Sequence, residues 1–91
     1  MTWLDEYAEA LSAASGRALS LSSDELGTML RLAREVAHRT ERKFAPVSTF
    51  LAGKFVAERL RQGGDADRAA AEALDVATGM LPPPAPEPDR A

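Results

Sequence analysis

Breaks limit this chain more than bulk does. Gly16, the run "LSSDEL" (residues 21–26), Pro46, the Gly63-Gly64 pair and the prolines from Pro82 onward cut 91 residues into four short stretches. Each stretch carries its apolar residues at helical spacing, and none alternates as a strand does. A chain divided in this way has room for short helices around one core, since about 90 residues make a single domain.

The first stretch opens at Thr2, a capping residue with Asp5 at the third helical position, and stops at Gly16. Within it Trp3, Leu4, Tyr7, Ala8, Leu11 and Ala14 share an arc opposite Asp5, Glu6, Glu9 and Ser12. The second start is marked more strongly: Ser22 and Glu25 form a capping box, and Leu21 and Leu26 stand where a hydrophobic staple places them. Its expected buried side is Leu26, Met29, Leu30, Ala33, Val36 and Ala37, with Leu32 at the margin.

Ala45 precedes a proline and is expected to be extended, so that Pro46 starts the third helix after a sharp corner and the helix runs to Arg61. Two apolar stripes, Phe50-Ala57-Leu60 and Val47-Leu51-Phe55, mark this helix as the central one, buried on two sides. Asp65 caps a fourth, alanine-rich helix that ends at Leu81. The expectation is an all-α bundle of four helices spanning 1–81, followed by a proline-rich tail, 82–91, expected to be disordered.

Composition excludes several classes of function. The absence of cysteine removes disulfides, thiol chemistry and thiolate zinc sites. No apolar run approaches the roughly 20 residues that span a bilayer, and the N-terminus carries acids where a secretory signal carries bases, so a cytoplasmic protein without a membrane partner is expected. The net charge of −3 is unevenly spread: residues 1–30, 31–64 and 65–91 carry −4, +5 and −4. An acidic chain is a poor match for nucleic acid, whose binding rests on many cations, whereas a basic middle segment suits a small anion or an acidic protein surface.

The candidate site lies in that segment. Arg34, His38 and Arg42 follow at i, i+4 and i+8, with Arg31 near the same line and Lys43 beyond it. Guanidinium forks match carboxylate and phosphate oxygens, and an imidazole can donate to an anion. Ser48 and Thr49 join the set because amides after Pro46 open a helix and lack intrahelical acceptors there. The competing account is a solvated face on which Glu35 and Glu41 answer the arginines. No catalytic residue, metal ligand set or cofactor motif stands out: a lone histidine without cysteine makes no metal site, and glycine-rich phosphate loops and serine elbows are absent.

The string "LAREVAHRTERKFAPVSTFLAG" and the opening "WLDEYAEAL" resemble a small actinobacterial domain family of uncharacterised function. The resemblance covers Trp3 to Leu81 and is carried by Arg34, His38, Arg42, Pro46, Phe50, Leu51 and Gly53, spaced R-x-x-x-H-x-x-x-R-x-x-x-P-x-x-x-F-L-x-G. In that family the domain stands alone or follows a MobA-like nucleotidyltransferase, which implies a setting in molybdenum-cofactor biosynthesis and assigns no catalytic residue. The resulting expectation is a non-catalytic accessory or regulatory module that binds an anion, a nucleotide or a partner protein through its basic face. The alternative is a structural domain acting by self-association as a homodimer.

Overall fold

The computed structural model describes residues 2–84, which form four helices: α1 (Trp3–Ser15), α2 (Ser23–Arg39), α3 (Phe44–Arg61) and α4 (Ala66–Met80). No strand occurs among the described residues, so the all-α expectation is met. Three starts are fixed by the caps read from sequence. Thr2 Oγ1 accepts from the Asp5 amide at 3.3 Å while an Asp5 carboxylate oxygen accepts from the Thr2 amide at 2.9 Å. Ser22 and Glu25 make the same reciprocal pair at 3.0 and 2.9 Å, and Asp65 accepts from the Arg68 amide at 3.0 Å. Gly16 ends α1 at φ 74°, a conformation open to glycine without steric cost.

The corner between α2 and α3 falls earlier than expected. Thr40, at φ −133° and ψ −131°, leaves the helix. A turn through Arg42 and Lys43 follows, and α3 begins at Phe44, two residues ahead of Pro46. The Phe44 amide donates to the Glu41 carbonyl at 2.9 Å and the Ala45 amide to Arg42 at 3.1 Å. These two tight bonds hold Ala45 helical against the bias a following proline imposes. Pro46 falls in the first turn, where its missing donor costs little.

Helices α2, α3 and α4 each pack against the other two. Their shared core is Leu32, Val36 and Ala52, with Met29, Ala73, Leu74, Ala77 and Leu81 against it, and Ala69 and Ala70 are buried on α4. Ser22 Oγ donates to Asp67 at 2.6 Å, tying the start of α2 to the first turn of α4. Between α3 and α4, Arg59 meets Glu72 through two bonds of 3.1 and 2.8 Å, its guanidinium lying 5.1 Å from the centre of the Phe55 ring.

Burial corrects two sequence expectations. On α2 it is Leu32, at 2 % exposure, that reaches the core, and Leu30, at 62 %, that faces outward. At 100° per residue the two differ by 160°, so α4 and α3 meet the edge of the apolar arc that carries Leu32. On α3 only Ala52 is buried, while Phe50, Leu51 and Val47 stand exposed. The helix is therefore covered on one side only.

Helix α1 stands apart: none of its Cα atoms lies within 8 Å of another helix. The connector after Gly16 folds back along it, with Ser12 Oγ accepting from the Leu19 amide at 2.7 Å and donating to the Leu19 carbonyl at 3.1 Å. The radius of gyration, 15.3 Å, exceeds the roughly 12 Å of a compact chain this long, and the principal extents are 56 × 30 × 20 Å. Of the expected tail, Pro82, Pro83 and Pro84 are exposed and non-helical, and residues 85–91 lie outside the described residues.

Candidate functional site

The basic row is only partly assembled. Arg31, Arg34 and His38 are exposed on α2, on the side opposite Leu32 and Val36. Arg42 lies past the end of α2, so the helical register that would stack it over His38 stops at Arg39. The acids expected to answer the row are engaged elsewhere: Glu35 pairs with Arg39 at 3.1 Å and Glu41 with Lys43 at 3.7 Å. Among the described residues Arg31, Arg34 and Arg42 make no ion pair.

Ser48 and Thr49 do not supply open helix-end groups. With α3 starting at Phe44, both stand inside the helix, where backbone amides serve the i→i−4 ladder. Their hydroxyls donate back to the Ala45 and Pro46 carbonyls at 2.7 and 2.8 Å.

A different surface has the shape of a binding site. The C-terminal half of α2, the first half of α3 and the C-terminal half of α4 splay around an open groove of about 410 Å³. Its floor is the core itself, Leu32, Val36 and Ala52, and its walls are Phe55, Ala73 and Ala77. Leu51, Val76 and Met80 form an exposed rim, Met80 at 76 %. The two polar side chains in the lining are Thr40 and Ser48, and each hydroxyl is spent on a carbonyl one turn back, Val36 at 2.6 Å and Ala45 at 2.7 Å.

The chemistry of this groove follows from that lining. Among the described residues its lining holds no carboxylate, amine, imidazole or guanidinium. A volume of this size with an apolar lining instead suits the side chains of an apolar helix or strand. The shifted titrating groups lie elsewhere. Hydrogen bonding to Arg59 holds Glu72 below its ordinary value and Glu72 raises Arg59, while Arg61 lowers Glu58. Arg61 and Glu58 form a surface pair, and the interhelical Arg59–Glu72 pair lines a shallow depression beside Gly63, Gly64 and Asp65.

The sequence did contain a signal for this groove. Two apolar stripes on α3 exceed what one small core can cover, and the surplus stripe marks an uncovered surface as readily as a doubly buried helix.

A family described as a domain of unknown function (DUF6457) matches residues 1–87. The chain belongs to that family. No curated protein and no solved structure matches the chain. No helix among the described residues is long and apolar enough to cross a membrane.

Proposed function

We propose that the chain is a non-catalytic accessory module of the cytoplasm that binds a partner protein by taking an apolar helical segment into the groove between α2, α3 and α4. The observation that carries this reading is the groove's composition: a core-lined floor and an exposed rim of Leu51, Val76 and Met80, without one titratable side chain among the described residues. Apolar surface of this kind, left open on a small domain, marks an interaction site. The resemblance to an actinobacterial family suggests the setting, molybdenum-cofactor metabolism, and a first partner to test, a MobA-like nucleotidyltransferase from the chain's own source. Calorimetric titration of that enzyme with the native chain is expected to show saturable binding. Leu51→Arg, which places a charge on the rim without entering the core, is expected to weaken it by about tenfold or more. Equal binding by both chains would remove the groove from the contact.

A second reading is anion binding at the α2 surface, supported by the exposed arginines Arg31 and Arg34 beside His38, with no ion-pair partners among the described residues. Titration with phosphate or a nucleoside triphosphate separates it from a solvated face. A site gives saturable resonance shifts confined to Arg34 and His38 and abolished by Arg34→Ala; a solvated face gives a diffuse response that fades with salt.

A further inference from the structure

Among the exposed apolar surfaces of the described residues, two lie at opposite ends of α2. One is the groove, which uses α2 from Leu32 to Thr40. The other is α1, whose Trp3 and Tyr7 rings stack with centroids 5.0 Å apart while Trp3 remains 69 % exposed. We propose that the groove of one chain receives α1 of a second copy, the two arms exchanging reciprocally to close a twofold dimer. This inference rests on the reading of the groove as a docking surface for a helix, and it names the occupant.

Three observations select a second copy. The first is length: Trp3 to Leu11 spans about 12 Å along a helix, as do Leu32 to Thr40 on α2, along the floor, and Ala73 to Leu81 on α4, along one wall.

The second is charge. Helix α1 carries Asp5, Glu6 and Glu9 and no base. The groove ends at Thr40, two residues before Arg42, which has no ion pair among the described residues, and Lys43, whose contact with Glu41 is a loose 3.7 Å. An acidic arm therefore meets a basic corner, and a basic arm would be repelled there.

The third is placement. Thr2, Leu4 and Asp5 border the same depression as Ser22, Ser23 and Leu26, which puts the start of α1 at the start of α2. The groove begins ten residues further on, about 15 Å along the helix. The Ser12–Leu19 bonds fold the connector back along α1, and the Ser22–Asp67 bond fixes the start of α2, where that connector arrives, against α4. A donor helix at one end of an elongated body and an acceptor groove at the other are both satisfied when two copies lie antiparallel, and such a pair closes on itself.

Trp3 is the chain's single tryptophan, so its fluorescence reports the arm directly. Sedimentation and tryptophan emission are followed together over a dilution series of the full chain. The expected result is a monomer–dimer equilibrium in which emission moves to shorter wavelength as dimer forms. Tyr7→Ala and the rim variant Val76→Arg are each expected to weaken the dimer by about tenfold or more. Both positions are exposed, so circular dichroism should stay helical in each variant.

Mixing the two variants is the decisive arm, because the intact α1 of Val76→Arg can enter the intact groove of Tyr7→Ala. The second contact of that heterodimer carries both substitutions, so independent effects give it the geometric mean of the two variants' own dimer affinities, apart from a twofold statistical factor. A heterodimer tighter than that mean supports exchange, because it shows that Tyr7 and Val76 meet in one contact. The proposal is overturned by a monomer at all concentrations, by a dimer whose Trp3 emission stays that of exposed indole, or by a heterodimer at that mean. A short-wavelength emission that is independent of concentration overturns it in favour of α1 folding onto its own groove. A monomer that still binds the nucleotidyltransferase in a Leu51-dependent way removes the dimer and leaves the proposed function standing.

Discussion

Replacing Leu32 with alanine removes a side chain that is almost wholly enclosed at the meeting of α2, α3 and α4. The expected loss is about 2–5 kcal/mol, a large part of the roughly 5–10 kcal/mol available to a domain of this size. Phe50→Ala removes a larger side chain that is 69 % exposed and touches Lys54, whose ammonium stands 5.2 Å from the ring centre, so a change within about 1 kcal/mol is expected. Chemical denaturation at low protein concentration checks both, and equal shifts of the two midpoints would contradict this picture of the core. Periodicity located the apolar arc of α2 correctly but not the edge of it that meets a neighbour. Leu30 and Leu32 are both leucines on a helix, and only the positions of α3 and α4 distinguish them. The same limit applies to the basic row: spacing aligns Arg34, His38 and Arg42 only while the helix lasts, and Thr40 ends it.

Among the elements, starts with a side-chain cap were legible and the one without was not. Thr2, Ser22 and Asp65 carry hydroxyl or carboxylate oxygens that pair with amides three residues on, a local pattern visible in the sequence. Helix α3 follows Lys43, which makes no such bond, so its start is set by the Glu41 and Arg42 carbonyls. The tie between α3 and α4 was likewise hidden, because Arg59 and Glu72 lie on different helices and meet only in the fold. Their pairing predicts a pH dependence. Glu72 is held below the ordinary carboxylate value of 4.5, chiefly by its hydrogen bond from Arg59, so the folded chain binds that proton less readily than the unfolded one. The stabilisation is fully present above the ordinary value and is lost as pH falls through the lowered one. Both side chains are partly open to solvent, so salt should weaken the effect. Glu72→Gln is expected to flatten part of the acid limb in thermal melts taken from neutral to acid pH, at low salt more than at high. An acid limb identical to the native one would place the acid-sensitive group elsewhere.

Across the whole molecule, the fold divides into a mutually packed trio and an arm, and this division sets an order of local stabilities. Amides in α2 and α4 around Leu32, Ala69 and Ala70 lie beneath the best-buried side chains, so opening them requires breaking the trio. Amides in α1 are held by its own ladder, its two caps and the Ser12–Leu19 bonds, with no second helix against it. Thirteen residues are marginal as an isolated helix, because nucleation is costly and most helical stability in proteins comes from packing one face. Hydrogen exchange in dilute solution should therefore find α1 opening by local fluctuation, far faster than the trio, whose slowest amides report global unfolding. Concentration then discriminates. Should α1 lie in the groove of a second copy, raising the protein concentration protects α1 together with the amides around Leu51 and Val76 on the rim, and leaves the buried α2 amides governed by global stability. Protection of α1 equal to that of α2 in the most dilute sample would mean that the arm is packed within a single chain, and the trio-and-arm division would be wrong.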